Sequence, residues 1–105
     1  MTTTVTEIAV YTVPPEKAAA FAEARRAVHA LLPSFDGFRS IRSLQSVASE
    51  STFADVCEWE SRTAAEEANR RAMDTPEFRT FFELGTGMIT FDHYRTAQET
   101  TKGVS

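Results

Sequence analysis

The sequence predicts an α+β fold in which a four-stranded antiparallel sheet carries two helices on one face. Strand-like and helix-like segments follow one another in the order βαββαβ. A short polar turn at residues 48–51 joins the second and third strands as an antiparallel hairpin. The chain has 105 residues, of which 42% are hydrophobic and 25% charged, as in a single globular domain. This order of elements is that of the ferredoxin-like arrangement.

The first strand and the first helix are predicted from residues 4–32. Residues 4–13 are β-branched and aromatic, and the strand ends at Pro14 because proline cannot donate to the ladder. Neither face of this strand is plainly polar, which favours a central position in the sheet. The helix begins with Pro15 and ends near Pro33. Its buried stripe has helical spacing and comprises Phe21, Ala24, Val28 and Leu31 or Leu32.

The second and third strands form the predicted hairpin. Residues 38–47 alternate between apolar and polar side chains, which is typical of a half-exposed strand near an edge. Residues 54–61 form the third strand and carry the single tryptophan, Trp59. Because side chains alternate along a strand, Asp55 and Trp59 share one face with Cys57.

The second helix is expected to begin at about Thr63, because Thr63 and Glu66 have the spacing of a capping box. Residues 74–77 interrupt it with a new N-cap and a proline at the first helical position. Residues 88–96 form the last strand, with Ile89, Phe91 and His93 on one face. We expect residues 1–97 to form the domain and residues 98–105 a loose tail. The inward-facing helical positions are Ala65, Ala68, Ala72, Phe78, Phe81 and Phe82.

Composition argues against several classes of protein. A net charge of −4 without a basic run is unlike a nucleic-acid-binding or membrane-surface protein. The single cysteine cannot close an intrachain disulfide, which favours a cytoplasmic location. No apolar run is long enough to span a membrane. We find no Gly-rich phosphate loop, zinc-ligand spacing or nucleophile elbow, and we expect neither a metal nor a cofactor.

The uncovered face of the predicted sheet favours a homodimer. It carries a mixture of apolar and polar side chains that a second sheet would remove from water. We therefore expect two copies to pack sheet to sheet. Glu7, Glu58 and Glu60 are expected to meet arginines at that interface.

Asp55 is the strongest candidate for acid–base chemistry. On the same face as Trp59 and beneath the helices it would lose water, and desolvation raises the pKa of a carboxyl group. His93 or His29 would act with Asp55 as a base and its orienting partner. The alternative is a structural carboxylate bonded to an arginine or a helix N-terminus, with the histidines satisfied by backbone or water.

Four segments together resemble the antibiotic biosynthesis monooxygenase-like family of dimeric α+β barrels. They are EIAVYTVPPEKAAAF, FDGFRS, CEWESRTAAEEA and DTPEFRTFF, and the likeness extends from Val5 to Tyr94. The superfamily includes cofactor-independent oxygenases of aromatic polyketides, haem-degrading enzymes, polyketide cyclases and quinol oxygenases. Haem-degrading members resemble one another in an asparagine on the first strand and a histidine on the second helix. This chain has neither, since its only asparagine is Asn69, although Trp59 matches their tryptophan.

The resemblance implies cofactor-independent monooxygenation of a polycyclic, polyketide-like phenol in secondary metabolism. The first alternative is a cyclase or isomerase that uses histidine, aspartate and tyrosine side chains, with Tyr94 among the candidates. The second is a non-catalytic dimer that binds a small aromatic molecule. The predicted catalytic residues are Asp55, His93 and His29, and the predicted substrate-binding residues are Trp59, Tyr11, Arg42, Phe21, Phe78 and Phe82.

Overall fold

The computed structural model describes residues 4–85 and 87–103 and has a ferredoxin-like α+β fold. Its antiparallel sheet has four strands, β1 (Val5–Thr12), β2 (Phe38–Gln45), β3 (Thr52–Trp59) and β4 (Gly87–Tyr94), in the order β2-β3-β1-β4. This order confirms the central position of β1 and the edge position of β2. Residues 95–103 form neither helix nor strand, and residues 1–3 and 104–105 of the predicted domain and tail lie outside the described residues. The helices are α1 (Ala18–Leu31), α2 (Arg62–Ala72) and α3 (Pro76–Leu84).

Helix α1 buries the predicted stripe against the sheet. Phe21 is 1% exposed, and its ring lies 5.7 Å from that of Tyr11, 5.2 Å from that of Phe53 and 5.1 Å from that of Phe81. Through this aromatic cluster, α1 packs against β1, β3 and α3. Truncating a buried phenylalanine of this kind costs roughly 3–5 kcal/mol. Ala24, Val28 and Leu32 are also buried, which confirms the predicted stripe.

Helix α2 begins at Arg62, within one residue of the predicted start, but its N-cap is Ser61, so the predicted capping role of Thr63 is wrong. Ser61 has extended backbone angles, and its Oγ accepts a hydrogen bond of 3.1 Å from the Ala64 N–H. Ser61, and not Thr63, is therefore the residue that accepts the hydrogen bond from the first turn of the helix. The predicted break is confirmed, because Thr75 Oγ1 accepts from the Phe78 N–H at 3.3 Å and Pro76 opens α3.

Two irregularities in the sheet change which side chains share a face. The register between β2 and β3 shifts between Phe38 and Ser40, so the Phe38 ring packs 5.6 Å from the Trp59 ring. The register between β1 and β4 shifts at Tyr11, which pairs with Met88. Simple alternation, which grouped Ile89 with Phe91, therefore fails at this end of β4.

The two faces of the sheet are unequal. The helices cover one face, which includes Cys57 and Trp59. The opposite face carries partly exposed Ile8, Val10 and Val56, and none of the described helices packs on it. Within residues 4–85 and 87–103, no helix has the length and apolar character needed to cross a bilayer.

Candidate functional site

A cavity of about 320 Å³ lies between the sheet and the helices. This volume falls at the lower end of the range for small-molecule sites. Ala68 and Ala72 of α2 line it, so their small side chains leave space above the sheet. Five phenylalanines contribute to the wall, namely Phe35, Phe78, Phe81, Phe82 and Phe91.

The cavity opens to solvent between α3 and β4. Phe82, Met88 and Phe91 line the cavity and are 43%, 56% and 45% exposed. Side chains that contact both the interior and water define an entrance. An apolar entrance of this kind suits an aromatic ligand better than a highly charged one.

Asp55 lies in the cavity wall at the centre of a hydrogen-bonded chain. Tyr11 donates its hydroxyl to Asp55 Oδ2 at 2.9 Å, and Ser43 donates to Asp55 Oδ1 at 2.7 Å. His29 Nε2 lies 2.8 Å from Ser43 Oγ. Because the serine proton is used toward Asp55, His29 donates to the serine oxygen. Ser43 stands directly opposite Asp55 in the sheet, so the β2–β3 hairpin creates this pair.

Burial dominates the electrostatics of Asp55 and raises its pKa. The hydrogen bonds from Ser43 and Tyr11 and the charges of His29 and Arg25 oppose that shift without cancelling it. Burial also raises the pKa of Tyr11, and the negative charge of Asp55 raises it further. Tyr11 therefore remains a neutral donor, while Asp55 has an increased affinity for a proton. Its partners are a tyrosine and a serine rather than an arginine or a helix N-terminus.

A second carboxylate, Glu7, also faces the cavity. His93 Nε2 donates to Glu7 Oε2 at 2.8 Å, and Asn69 Nδ2 donates to the same oxygen at 3.1 Å. The side chains of Glu7 and His93 are 13% and 17% exposed. The expectation that Glu7 meets arginines at a dimer interface is therefore wrong, because alternation along β1 places it beneath the helices with Ala9 and Tyr11.

Trp59 and Cys57 complete the buried part of the site. Trp59 is 2% exposed, and its indole N–H has no hydrogen-bond partner among the described residues. A buried donor without a partner costs free energy that a ligand acceptor can recover. Burial, followed by the charges of Glu7, Asp55 and Glu58, raises the pKa of Cys57 to about 12. The nearby Trp59 indole lowers this pKa, but the Cys57 sulfur is only a weak acceptor and does not meet the geometry of a hydrogen bond with the indole N–H. Cys57 is therefore a neutral thiol at physiological pH.

Five of the predicted site residues line the cavity: Tyr11, Asp55, Trp59, Phe78 and Phe82. His29 and His93 lie behind them and reach the site through Ser43 and Glu7. No direct hydrogen bond joins either histidine to Asp55 among the described residues.

Three other sequence candidates lie away from the cavity. Phe21 is part of the aromatic core rather than the cavity wall. Arg42 is exposed on the uncovered face, where it pairs with Val56, because its neighbour Ser43 takes the covered side. Tyr94 is 47% exposed and pairs with Thr6 on the uncovered face.

The sequence reasoning missed Glu7, Ser43, Asn69 and Met88 as site residues. Glu7 lies on the same face of β1 as Tyr11, and Ser43 lies opposite Asp55 in the hairpin. The alternation of side chains along the strands could therefore have indicated both residues. Asn69 follows Ala68 on α2 and carried no comparable signal. Within residues 4–85 and 87–103, no three His, Cys, Asp or Glu side chains converge as metal ligands.

A helix-covered cavity with two hydrogen-bonded carboxylates and an unpaired indole N–H is the candidate small-molecule site of this ferredoxin-like α+β protein. Residues 4–84 match the family model for antibiotic biosynthesis monooxygenase. The chain therefore belongs to the antibiotic biosynthesis monooxygenase (ABM) family. A comparison with curated proteins finds no match.

Solved structures share this fold at low sequence identity. A candidate antibiotic biosynthesis monooxygenase from Bordetella bronchiseptica is 20% identical with a TM-score of 0.79, covering 91% of this chain and 99% of its own. A conserved protein from Methanosarcina mazei is 16% identical with a TM-score of 0.73, over 90% and 93%. SnoaB, a cofactor-independent oxygenase from Streptomyces nogalater, is 20% identical with a TM-score of 0.67, over 94% and 96%.

Proposed function

We propose that this protein is a cofactor-independent monooxygenase that acts on a polycyclic aromatic phenol in secondary metabolism. The observation that carries the proposal is Asp55, a carboxylate of raised pKa in an aromatic cavity. A carboxylate in such surroundings is a stronger base than one in water. The fold shared with SnoaB supports the same class of reaction.

The reaction begins with removal of a proton from the substrate by Asp55. The resulting anion gives one electron to dioxygen, and the radical pair combines as a substrate peroxide. The peroxide forms as its anion and takes up one proton, and loss of water from the resulting hydroperoxide leaves a carbonyl at the oxidised carbon. That carbon loses two hydrogens and gains one oxygen atom, and the second oxygen atom leaves as water. The substrate supplies all the electrons.

Trp59 is the candidate donor to the developing negative charge. Its N–H has no partner among the described residues, and Trp59 shares the covered face of β3 with Asp55. A fixed donor in a water-poor site stabilises an oxyanion more strongly than a donor in water does. We assign Trp59 this role toward the phenolate or the peroxide oxygen.

The chain from Asp55 through Ser43 to His29 gives the abstracted proton a route to solvent. Asp55 returns the proton to Ser43 as the serine proton passes to Nε2 of His29 on partly exposed α1, which requires the Nδ1–H tautomer of the imidazole at this step. Tyr11 holds the other carboxylate oxygen, so Asp55 keeps one orientation during this exchange. Ser43 and His29 are positioning residues in this scheme, because they act through Asp55.

Oxygen uptake with an anthrone substrate, without added cofactor and with a chelator present, tests the proposal. We expect one dioxygen consumed for each quinone formed. Asp55→Asn should lower kcat/KM by about a hundred-fold or more, because it removes the base. Asp36→Asn, at an exposed loop position, is the matched control and should retain activity. Absence of enzyme-dependent uptake across anthrones and naphthols contradicts the proposal.

A polyketide cyclase or isomerase is the second candidate, and the Asp55–Ser43–His29 chain favours it because proton transfer alone needs no oxygen. Turnover of a polyketide-like substrate under anaerobic conditions supports this alternative. Saturable binding of an aromatic ligand without turnover supports the third, a non-catalytic binding protein.

The proposal includes a homodimer formed through the uncovered sheet faces. Ile8, Val10 and Val56 occupy the middle of this face and are partly exposed in the single chain. A second copy packed on the face would remove them from water. We place the protein in the cytoplasm, where its only cysteine, the buried Cys57, stays reduced.

A further inference from the structure

Glu7 occupies the cavity wall at a distance from Asp55, and the proposed reaction does not use it. We infer that Glu7, held by His93 and Asn69, is a specificity-determining residue that accepts a hydrogen bond from a second hydroxyl of the substrate. The preferred substrate class is then a flat aromatic molecule with hydroxyl groups at both ends. This inference rests on the proposed binding of an aromatic ligand at Asp55.

The sheet register fixes the separation of the two carboxylates. Glu7 pairs with Cys57, and Ala9 pairs with Asp55 in the next row of the same face. Glu7 and Asp55 are therefore diagonal neighbours, whose Cα atoms lie roughly 7–8 Å apart. Ala9 has only a methyl group between them. A fused ring system can lie over Ala9 with one polar group at each carboxylate.

The contacts of Glu7 leave one of its oxygens available. His93 and Asn69 both donate to Oε2, and no hydrogen bond to Oε1 occurs among the described residues. Two donors from different elements, β4 and α2, restrain the carboxylate before a ligand arrives. A preorganised acceptor loses little conformational freedom on binding.

The chemistry of the pair favours a neutral hydrogen-bond donor such as a phenol. A carboxylate accepts hydrogen bonds strongly and repels anionic groups. The aromatic wall excludes highly hydrated ligands. An aromatic hydroxyl satisfies both conditions. It is also the type of group that the proposed phenolic substrate presents at the Asp55 end of the cavity.

Anaerobic calorimetric titration tests the inference with two probes. One probe is 2-naphthol, and the other is the naphthalenediol whose second hydroxyl lies at the far end of the ring system. We expect the wild type to bind the diol about ten-fold tighter, as a hydrogen bond to a charged group provides. Glu7→Gln should lose most of that preference while its affinity for 2-naphthol changes by about two-fold or less.

Two further variants separate recognition from folding. Asn69→Ala leaves Glu7 in place but removes one of its two donors, so we expect a smaller loss of diol preference. Glu23→Gln removes an equal charge from the exposed surface of α1 and should retain the wild-type preference. Equal affinity of the wild type for the two probes, or an equal loss for both in Glu7→Gln, overturns the inference.

The binding measurement is independent of catalysis. A diol preference that depends on Glu7, in a protein that consumes no oxygen, supports this inference and rejects the proposed reaction. Oxygen uptake that depends on Asp55, with no effect of Glu7 on the diol preference, supports the proposed reaction and rejects this inference.

Discussion

At the scale of single residues, Asp55 couples function to stability. Folding raises its pKa, so the folded protein holds this proton more tightly than the unfolded chain does. The stabilisation from protonation is complete below the unfolded pKa of about 3.9 and is lost as pH rises through the folded pKa. Asp55 therefore destabilises the fold at neutral pH, where its carboxylate is charged and poorly solvated.

We predict that Asp55→Asn has a higher free energy of unfolding than the wild type at neutral pH. The difference should shrink as pH falls toward the unfolded pKa, because both side chains are then neutral. Urea unfolding at a series of pH values measures this. A wild type that is more stable than Asp55→Asn at neutral pH would show that the hydrogen bonds from Ser43 and Tyr11 outweigh desolvation.

For Glu7, the sequence predicts the position of the side chain but not its hydrogen-bond partners. Alternation along β1 places Glu7 on the face of Ala9 and Tyr11, so its covered position could be predicted. Its partners could not, because His93 and Asn69 are 86 and 62 residues away along the chain. The contact with His93 depends on how β4 pairs with β1 beyond a register shift, which composition and spacing do not encode.

At the scale of elements, the start of α2 is set by one hydrogen bond. We predict that Ser61→Ala lowers the free energy of unfolding by about 1 kcal/mol, because the Ala64 N–H loses its acceptor. Thr63→Ala should change it by less than about 0.5 kcal/mol, since Thr63 is exposed inside the first turn. Denaturant unfolding of the two variants makes the comparison. A larger effect at Thr63 would restore the capping box as the start of the helix.

The order of the elements and their faces could be predicted because each depends on local patterns. Proline ended the first strand, the alanine and phenylalanine spacings located the helix faces, and the N-cap and proline within residues 74–77 marked the start of α3. The register shifts at Phe38 and Tyr11 could not be predicted. They depend on packing between distant strands, and they bring Phe38 against Trp59 and Met88 to the cavity.

At the scale of the whole molecule, the two sheet faces have separate roles. The covered face forms the cavity, and the uncovered face is the proposed dimer interface. We predict that Val10→Arg, at the centre of the uncovered face, converts a dimer into a monomer, because it buries an unpaired charge at the interface. Met73→Arg, 55% exposed between α2 and α3, should remain dimeric. Size-exclusion chromatography with light scattering reports the mass of each.

A monomeric wild type would contradict the proposed interface. A dimeric Val10→Arg protein would move the interface to another surface. Neither result would alter the cavity, since every residue that lines it belongs to the same chain.

The measurement that tests the central claim most directly is titration of Trp59 fluorescence with 2-naphthol, corrected for absorption by the ligand. The account predicts saturable quenching, because the single tryptophan lines the cavity. Ala68→Leu should fill part of the cavity and weaken binding by about ten-fold or more, as expected for a steric clash of a few kcal/mol. Ala27→Leu, on the exposed side of α1, should bind like the wild type. Quenching that does not saturate, or that is equal in all three proteins, would contradict a ligand site between the sheet and the helices.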